Sequence, residues 1–279
     1  MKLHAINTGL FKLDGGAMFG VVPKSLWNNK NKADENNMCT WALRCLLIEF
    51  NNKLILVDNG IGNKQDAKFF SHYYLSATSS VESELNKLGF TSADVTDVLL
   101  THLHFDHCGG SVLLSANGKL ELAFKNAKYW SNSVHWEWAI QPNAREKASF
   151  LKENIFPIQE SGQLNFIDEG QKWYDGIEIY YSNGHTEGMM IPIIDTGLGK
   201  IAFCADLIPS SWHVPLPWIM AYDMKPLITL KEKSDFLQKA IEEDIRLMFE
   251  HDPIHELASI VKNEKGQITI TSFDSIANL

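Results

Sequence analysis

The amino-acid sequence predicts an α/β protein with two β-sheets and helices on their outer faces. Short apolar runs of strand length recur along the chain, and amphipathic stretches with helical spacing lie between some of them. The runs at 41–50 and 53–60 look like the two strands of a hairpin. Strands and helices alternate only in parts of the chain, which favours two sheets over one doubly wound sheet.

Six apolar runs are interpreted as strands, at 41–50, 53–60, 97–104, 177–185, 199–207 and 245–252. The last four carry a histidine or an aspartate at or beside their ends. Three segments are interpreted as helices, at 79–90, 143–155 and 229–244. The third opens with Thr229 and Glu232, which have the spacing of a capping box, and its apolar residues at 236, 237, 240 and 241 form one stripe.

Length and composition describe an ordinary globular protein. The chain has 279 residues, enough to bury a substantial core, and no repeat or linker divides it. We therefore expect one domain over residues 1–279. The formal net charge of −9 argues against a nucleic-acid binder, which would neutralise phosphates with basic side chains.

The sequence shows neither a secretory signal at its start nor an apolar stretch of membrane-spanning length. Its four cysteines, Cys39, Cys45, Cys108 and Cys204, are scattered without a CxxC pair, which is typical of reduced and buried thiols. We expect a cytoplasmic protein with no nucleic-acid and no membrane partner. A homodimer is left open.

The stretch THLHFDHCGG contains a group of candidate metal ligands. It places His102, His104, Asp106 and His107 directly behind an apolar run. Imidazole nitrogens and carboxylate oxygens are good zinc ligands, and Gly109-Gly110 would allow a sharp turn into a following helix. One compact segment rarely encircles an ion alone, so two ions that share ligands from distant strand ends are expected. The candidate partners at those ends are Asp58, His185, Asp206 and His251.

Five motifs in this order resemble those of the metallo-β-lactamase superfamily: LILVDNG, THLHFDHCGG, NGHTEG, FCADL and FEHDP. The resemblance implies an αββα sandwich of two mixed β-sheets with helices on the outer faces. It implies two Zn²⁺ ions per chain, with other divalent metals as alternatives. The first ion would be held by His102, His104 and His185, and the second by Asp106, His107 and His251. Asp206 would bridge them, and Asp58 would orient the ligand loop.

The chain departs from parts of the superfamily in ways that narrow the function. The segment HTEGMM, which begins at His185, lacks a further histidine found in many relatives. His104 stands where iron-type flavodiiron relatives have glutamate, which favours zinc. Because His107 and Asp206 are both present, antibiotic hydrolysis is not expected.

The implied chemistry is hydrolysis. Two zinc ions would share a bridging hydroxide that acts as the nucleophile near pH 7. Asp106 and Asp206 are the expected catalytic residues, since Asp206 bridges the metals and Asp106 can also take or return a proton. Ordinary histidine roles are expected at His4, His72 and His135. His255 competes with His251 as a ligand, and the HDP context favours His251.

Two stretches are interpreted as walls of an apolar pocket, at 14–27 and 208–223. The residues expected to line it are Met18, Phe19, Phe105, Trp212, His213, Trp218 and Tyr222. For any one of these aromatic residues, packing of an irregular loop is an equal alternative. They suit a small, uncharged substrate with an apolar tail.

Both stretches resemble the acyl-homoserine lactone lactonase and methyl parathion hydrolase branch. That resemblance implies a lactone or ester hydrolase, with quorum quenching as its role. A phosphotriester hydrolase and a glyoxalase-II-like thioesterase remain the alternatives. Some lactonases have a tyrosine three residues after the bridging aspartate, where this chain has Pro209. Tyr222 or His213 would have to replace it.

Overall fold

The structure is a computed structural model that describes residues 1–76 and 79–278. By its packing the chain divides into two compact units. The first comprises Met1–Gly9 and Leu43–Trp173, and the second comprises Leu10–Ala42 and the chain from Tyr174 onwards. The expectation of one domain stays a prediction. No helix in the described part of the chain is both long and apolar enough to cross a membrane.

The strands are β1 (Lys2–Asp14), β2 (Met38–Phe50), β3 (Lys53–Val57), β4 (Asp97–Leu99), β5 (Val112–Leu114), β6 (Leu120–Leu122), β7 (Lys128–Ser131), β8 (Leu164–Phe166), β9 (Ile177–Ser182), β10 (Met189–Asp195), β11 (Lys200–Phe203), β12 (Ile245–Met248), β13 (Leu257–Lys262) and β14 (Ile268–Asp274). The helices are α1 (Gly15–Phe19), α2 (Lys24–Trp27), α3 (Ala67–Tyr73), α4 (Val81–Lys87), α5 (Phe105–Cys108), α6 (Ser133–Ile140), α7 (Lys152–Glu160) and α8 (Pro226–Glu242).

Two six-stranded sheets confirm the prediction of a mixed α/β architecture. One has the order β1-β2-β3-β4-β7-β8, in which β2 and β3 form the predicted antiparallel hairpin and β3, β4, β7 and β8 run parallel. The other has the order β14-β13-β12-β11-β10-β9, with one parallel pair between β11 and β12. The short strands β5 and β6 pair separately.

Each unit has a buried core on which its helices pack. In the first, Leu47, Leu56, Val98 and Tyr129 are fully buried, as expected for strands that are covered on both sides. In the second, α8 packs on β12 and β13 and buries Phe236 and Leu237 completely. The apolar stripe predicted for this helix is therefore confirmed.

Two predicted helix boundaries were wrong. The helix α8 begins at Pro226 rather than 229, because proline at a first helical position has no N–H to lose and a preset φ. Thr229 and Glu232 are thus inside the helix and form no capping box. Residues 144–149 form turns, and the helix predicted at 143–155 begins only at Lys152.

The ligand stretch also differs locally from its prediction. The strand β4 ends at Leu99, and Asp106 and His107 lie in the short helix α5, which precedes the two glycines instead of following them. Because the two glycines have no Cβ, the backbone of residues 59–61 can approach them closely. A Cβ at Gly109 would lie 2.2 Å from the carbonyl oxygen of Ile61, and one at Gly110 would lie 2.2 Å from that of Asn59.

Candidate metal centre

The first unit gathers the four motif residues into one buried group. His102 and His107 are fully buried, and His104 and Asp106 nearly so. The ring of His102 lies 4.6 Å from that of His104 and 3.9 Å from that of His107, measured between centroids. An unliganded cluster of this kind is costly to bury, which is the physical reason that such a turn indicates a metal site.

Asp58, directly after β3, makes hydrogen bonds next to and within this group. Its carboxylate accepts hydrogen bonds from the backbone N–H of Thr101 at 2.8 Å and from the Thr101 hydroxyl at 2.7 Å. It also lies 3.0 Å from Nδ1 of His107. The other ring nitrogen of His107, Nε2, is 3.8 Å from Oδ2 of Asp106. Asp58 therefore fixes Nε2 as the ligand atom of His107.

His104 is oriented by a residue that the sequence analysis missed. Its Nε2 lies 2.9 Å from Oε1 of Glu146, which makes Nδ1 the nitrogen that would bind a metal. Glu146 is 1% exposed and also accepts hydrogen bonds from Trp138 Nε1 at 2.7 Å and Asn143 Nδ2 at 3.1 Å. A lone glutamate in the polar stretch NAREK looks like an ordinary surface charge, so nothing in the sequence distinguished it.

The second unit places Asp206 between two histidines. Oδ2 of Asp206 lies 3.1 Å from Nε2 of His185, and Oδ1 lies 3.2 Å from Nε2 of His251. All three side chains are buried. The carboxylate thus presents one oxygen to each imidazole, which is the arrangement expected of a carboxylate shared by two ions.

Both of these histidines also form a hydrogen bond through their second ring nitrogen, Nδ1. Nδ1 of His185 lies 3.0 Å from Oδ1 of Asp223, and Nδ1 of His251 donates to the Ala42 carbonyl at 2.8 Å. Asp223 was missed by the sequence analysis, although it is the single acid in the apolar stretch PWIMAYDM and gave a weak signal. The hydrogen bonds fix Nε2 of each ring as the ligand atom.

Electrostatics at His185 favour a cation. Burial by itself lowers the pKa of this imidazole, but the carboxylates of Asp206 and Asp223 outweigh it and raise the pKa to about 10. Two buried carboxylates on one ring create a site that attracts positive charge. A divalent metal ion satisfies that demand.

Two residues next to strand ends have left-handed backbone. Asp58 follows β3 with φ of 54°, and Ala205 follows β11 with φ of 43°. Asp tolerates this region, whereas for alanine it costs on the order of 1 kcal/mol. The strain at Ala205 sets the turn that carries Asp206, so it is associated with a functional position.

His251 rather than His255 lies beside Asp206. The ring of His255 instead stacks on Phe273, with centroids 3.5 Å apart and planes 9° from parallel.

Four of the predicted pocket residues of the second unit, Phe19, Trp212, His213 and Trp218, belong to one aromatic cluster. Phe19 stacks on His213 with a centroid distance of 5.0 Å and meets Trp218 edge-on at 5.8 Å. Met18, Phe19 and His213 are buried, Trp212 and Trp218 are partly exposed, and Tyr222 is 37% exposed. In the first unit, Phe105 contacts the rings of Phe69 and Tyr73. That these residues line a substrate pocket stays a prediction.

His213 has a packing role. Its Nδ1 lies 2.7 Å from the Ser210 hydroxyl, and its Nε2 donates to the Met18 carbonyl at 2.9 Å. Burial lowers the pKa of His213 to about 3, so the ring is neutral. With both nitrogens engaged, His213 is poorly placed to assist a substrate carbonyl, which leaves Tyr222 as the remaining candidate.

The donor set fits zinc. It consists of oriented imidazoles and carboxylates, in line with the nitrogen and oxygen ligands that Zn²⁺ accepts. The residues that would hold metal are His102, His104, Asp106 and His107 in the first unit and His185, Asp206 and His251 in the second.

Comparison with known proteins supports this interpretation. The family described as Metallo-beta-lactamase superfamily matches residues 44–240. An N-acyl homoserine lactonase from Bacillus cereus is 24% identical over 245 residues, covering 82% of this chain and 86% of the relative.

Solved structures show the same fold. A probable metal-dependent hydrolase from Staphylococcus aureus is similar with a TM-score of 0.88 and 29% identity, over 98% of this chain and 95% of that one. AidC, a dizinc quorum-quenching lactonase, is similar with a TM-score of 0.80 and 24% identity over the same shares. The resemblance drawn from the motifs is confirmed. The chain is a metal-dependent hydrolase that belongs to the metallo-β-lactamase superfamily.

Proposed function

We propose that this hydrolase is a dinuclear zinc enzyme that opens lactones or cleaves esters, with N-acyl-homoserine lactones as its substrate class. The observation that carries the proposal is the placement of Asp206, whose two oxygens face Nε2 of His185 and of His251 at 3.1 and 3.2 Å. A carboxylate that serves two imidazoles in opposite directions suits two ions better than one.

The proposed zinc ligands are those that the sequence motifs imply. His102, His104 and His185 hold the first zinc, and Asp106, His107 and His251 hold the second. Asp206 is shared. Family membership supports this combination, because all the superfamily motifs are present in order.

Zinc, when bound, would polarise the substrate carbonyl and lower the pKa of an attacking water. Side chains of the protein would orient the metal ligands and transfer the proton. Glu146, Asp58 and Asp223 fix the ring orientation of His104, His107 and His185, so that the ligand atoms are preorganised. Asp106 would accept a proton on its carboxylate and return it to the leaving oxygen.

The substrate class rests on two supports. The relative from Bacillus cereus is named an N-acyl homoserine lactonase. The aromatic stretch 208–223 has a partly exposed Trp218 and an exposed Tyr222, which suit a small uncharged molecule with an apolar tail. Tyr222 would assist the carbonyl in place of the tyrosine that Pro209 replaces.

We also propose a cytoplasmic quorum-quenching role without nucleic-acid or membrane partners, and a homodimer as the assembly to test. The four cysteines are buried and form no disulfide, which suits a reducing compartment.

A substrate panel tests the function. Zinc-loaded protein is offered N-hexanoyl-homoserine lactone, an aryl ester, a phosphotriester and S-lactoylglutathione, with turnover and metal content measured together. We expect lactone or ester turnover at about two zinc per chain. Turnover of the thioester or the phosphotriester alone would contradict the lactonase assignment, and a single iron would contradict the dizinc centre.

A further inference from the structure

We propose that Lys233 is a positioning residue that sets the substrate-binding geometry of the aromatic loop, defined as residues 208–223. The proposal deepens the proposed function and rests on it. Lys233 lies on α8, about two helical turns after its start, and is fully buried. Its ammonium group donates to the carbonyls of Pro215 at 2.9 Å, Leu216 at 3.4 Å and Trp218 at 2.8 Å.

A buried lysine is costly, and packing alone does not require one. Lysine is among the residues that are rarely buried, because its charge must leave water. A methionine would fill a similar volume on this face of α8 at lower cost. The three donors of the ammonium group instead match three carbonyls of one short segment. The buried lysine therefore stabilises the conformation of the loop rather than the packing of the helix.

The loop depends on this donor because of its own composition. Pro215 and Pro217 have no N–H, so the segment has few local hydrogen bonds to hold its shape. Within residues 215–219 the local backbone bonds join Trp218 N–H to the Pro215 carbonyl and Ile219 N–H to the Pro217 carbonyl. Lys233 adds three hydrogen bonds to this segment, one of them to the backbone carbonyl of the partly exposed Trp218.

The neighbouring residue on α8 holds a different loop. Glu232 accepts hydrogen bonds from the Ser182 hydroxyl at 2.8 Å, from Asn183 N–H at 2.9 Å and from Gly184 N–H at 3.0 Å. This loop leads directly into His185. Adjacent positions on one helix thus hold the ligand loop and the aromatic loop separately, which allows the two effects to be distinguished.

The central experiment compares Lys233→Met with Lys231→Met. Lys231 lies on the same helix with an exposed side chain that pairs with Asp235, so it controls for the loss of a lysine. For each zinc-loaded variant, KM and kcat are measured with N-butanoyl- and N-decanoyl-homoserine lactone. Zinc content and the Kd of the ring-opened product N-decanoyl-homoserine, by calorimetry, are measured alongside.

We expect Lys233→Met to raise KM for the decanoyl lactone, and the Kd of the product, by about tenfold, the size of lost contacts in an apolar pocket. KM for the butanoyl lactone should change by less than about twofold, because its short acyl tail would make few contacts with the aromatic loop. The values of kcat and the zinc content should be retained, because Lys233 holds the aromatic loop and no metal ligand. Lys231→Met should match wild type in every measurement.

Glu232→Gln provides the opposite pattern. It should reduce zinc content without changing the ratio of the two KM values, because Glu232 holds the ligand loop only. Lys233→Gln, which keeps two N–H donors, should give an intermediate shift, and it carries the test if Lys233→Met does not fold.

Equal changes for both lactones, or an unchanged KM, would overturn the role of Lys233. A wild-type protein that turns over no lactone would instead overturn the proposed function.

Discussion

The Oδ2 atom of Asp206 lies 3.1 Å from Nε2 of His185, which is held on its other side by Asp223. The aspartate comes from the turn after β11 and the histidine from the loop after β9. The second oxygen of Asp206 faces His251 in the same way. Asp206 therefore places one carboxylate oxygen beside each of two buried histidines.

Replacing Asp206 with asparagine should remove the shared ligand while keeping its shape. We expect zinc content to fall below two per chain and turnover to fall by at least about 100-fold, since loss of even a supporting residue costs about 10- to 100-fold. Metal analysis and steady-state kinetics measure both. Asp195→Asn, at an exposed position on β10, is the control. Full activity in Asp206→Asn would contradict a metal-bridging role.

Replacing Glu146 with glutamine should disturb His104 without touching a ligand. Glutamine can still bond to Nε2, but as a neutral group it orients and polarises the imidazole less well. We expect zinc affinity to fall about 10- to 100-fold, measured by competition with a chelator. Glu137→Gln, on the exposed face of α6, should bind zinc like wild type. Unchanged affinity in both variants would remove Glu146 from the site.

Removing the metal should destabilise the protein as well as inactivate it. Zinc binds only the folded arrangement of ligands, so each site at 100-fold excess over its Kd should add about 2.7 kcal/mol to the free energy of unfolding. Thermal unfolding with and without a chelator measures the effect. The shift in Asp206→Asn should be smaller than in wild type, and a shift of equal size would argue that zinc binds elsewhere.

Stability should rise with pH above about 7 because of Lys233. Burial lowers the pKa of this lysine to about 7 from its ordinary value of 10.5, while the Asp223 charge opposes the shift. Between these values the unfolded chain binds more protons than the folded one, so the free energy of unfolding increases with pH. Relative to Lys233→Met, wild type should gain on the order of 2 kcal/mol between pH 7 and 9, measured by urea unfolding. Parallel pH dependences in the two proteins would show that the lysine keeps its ordinary pKa.

Local sequence patterns predicted much of the fold. The β2–β3 hairpin and the apolar stripe of α8 follow from residue spacing within one segment, and both are confirmed. The predicted start of α8 was wrong because the Thr229–Glu232 spacing resembles a capping box, whereas Pro226 takes the first helical position. Helix 143–155 was wrong in its first half, where Glu146 lies in a turn and bonds to His104.

The sequence by itself determined the chemistry of the site: the buried histidines and aspartates that follow strand ends, their order along the chain and the family they indicate. Only the tertiary structure decided what orients them, because Glu146, Asp223 and the Ala42 carbonyl are 42, 38 and 209 positions away from their histidines. A hydrogen bond depends on distance and direction in space, and no local pattern in the sequence encodes a partner so remote. The same holds for Lys233, which looks like one more charge on an amphipathic helix until the fold buries it against the aromatic loop.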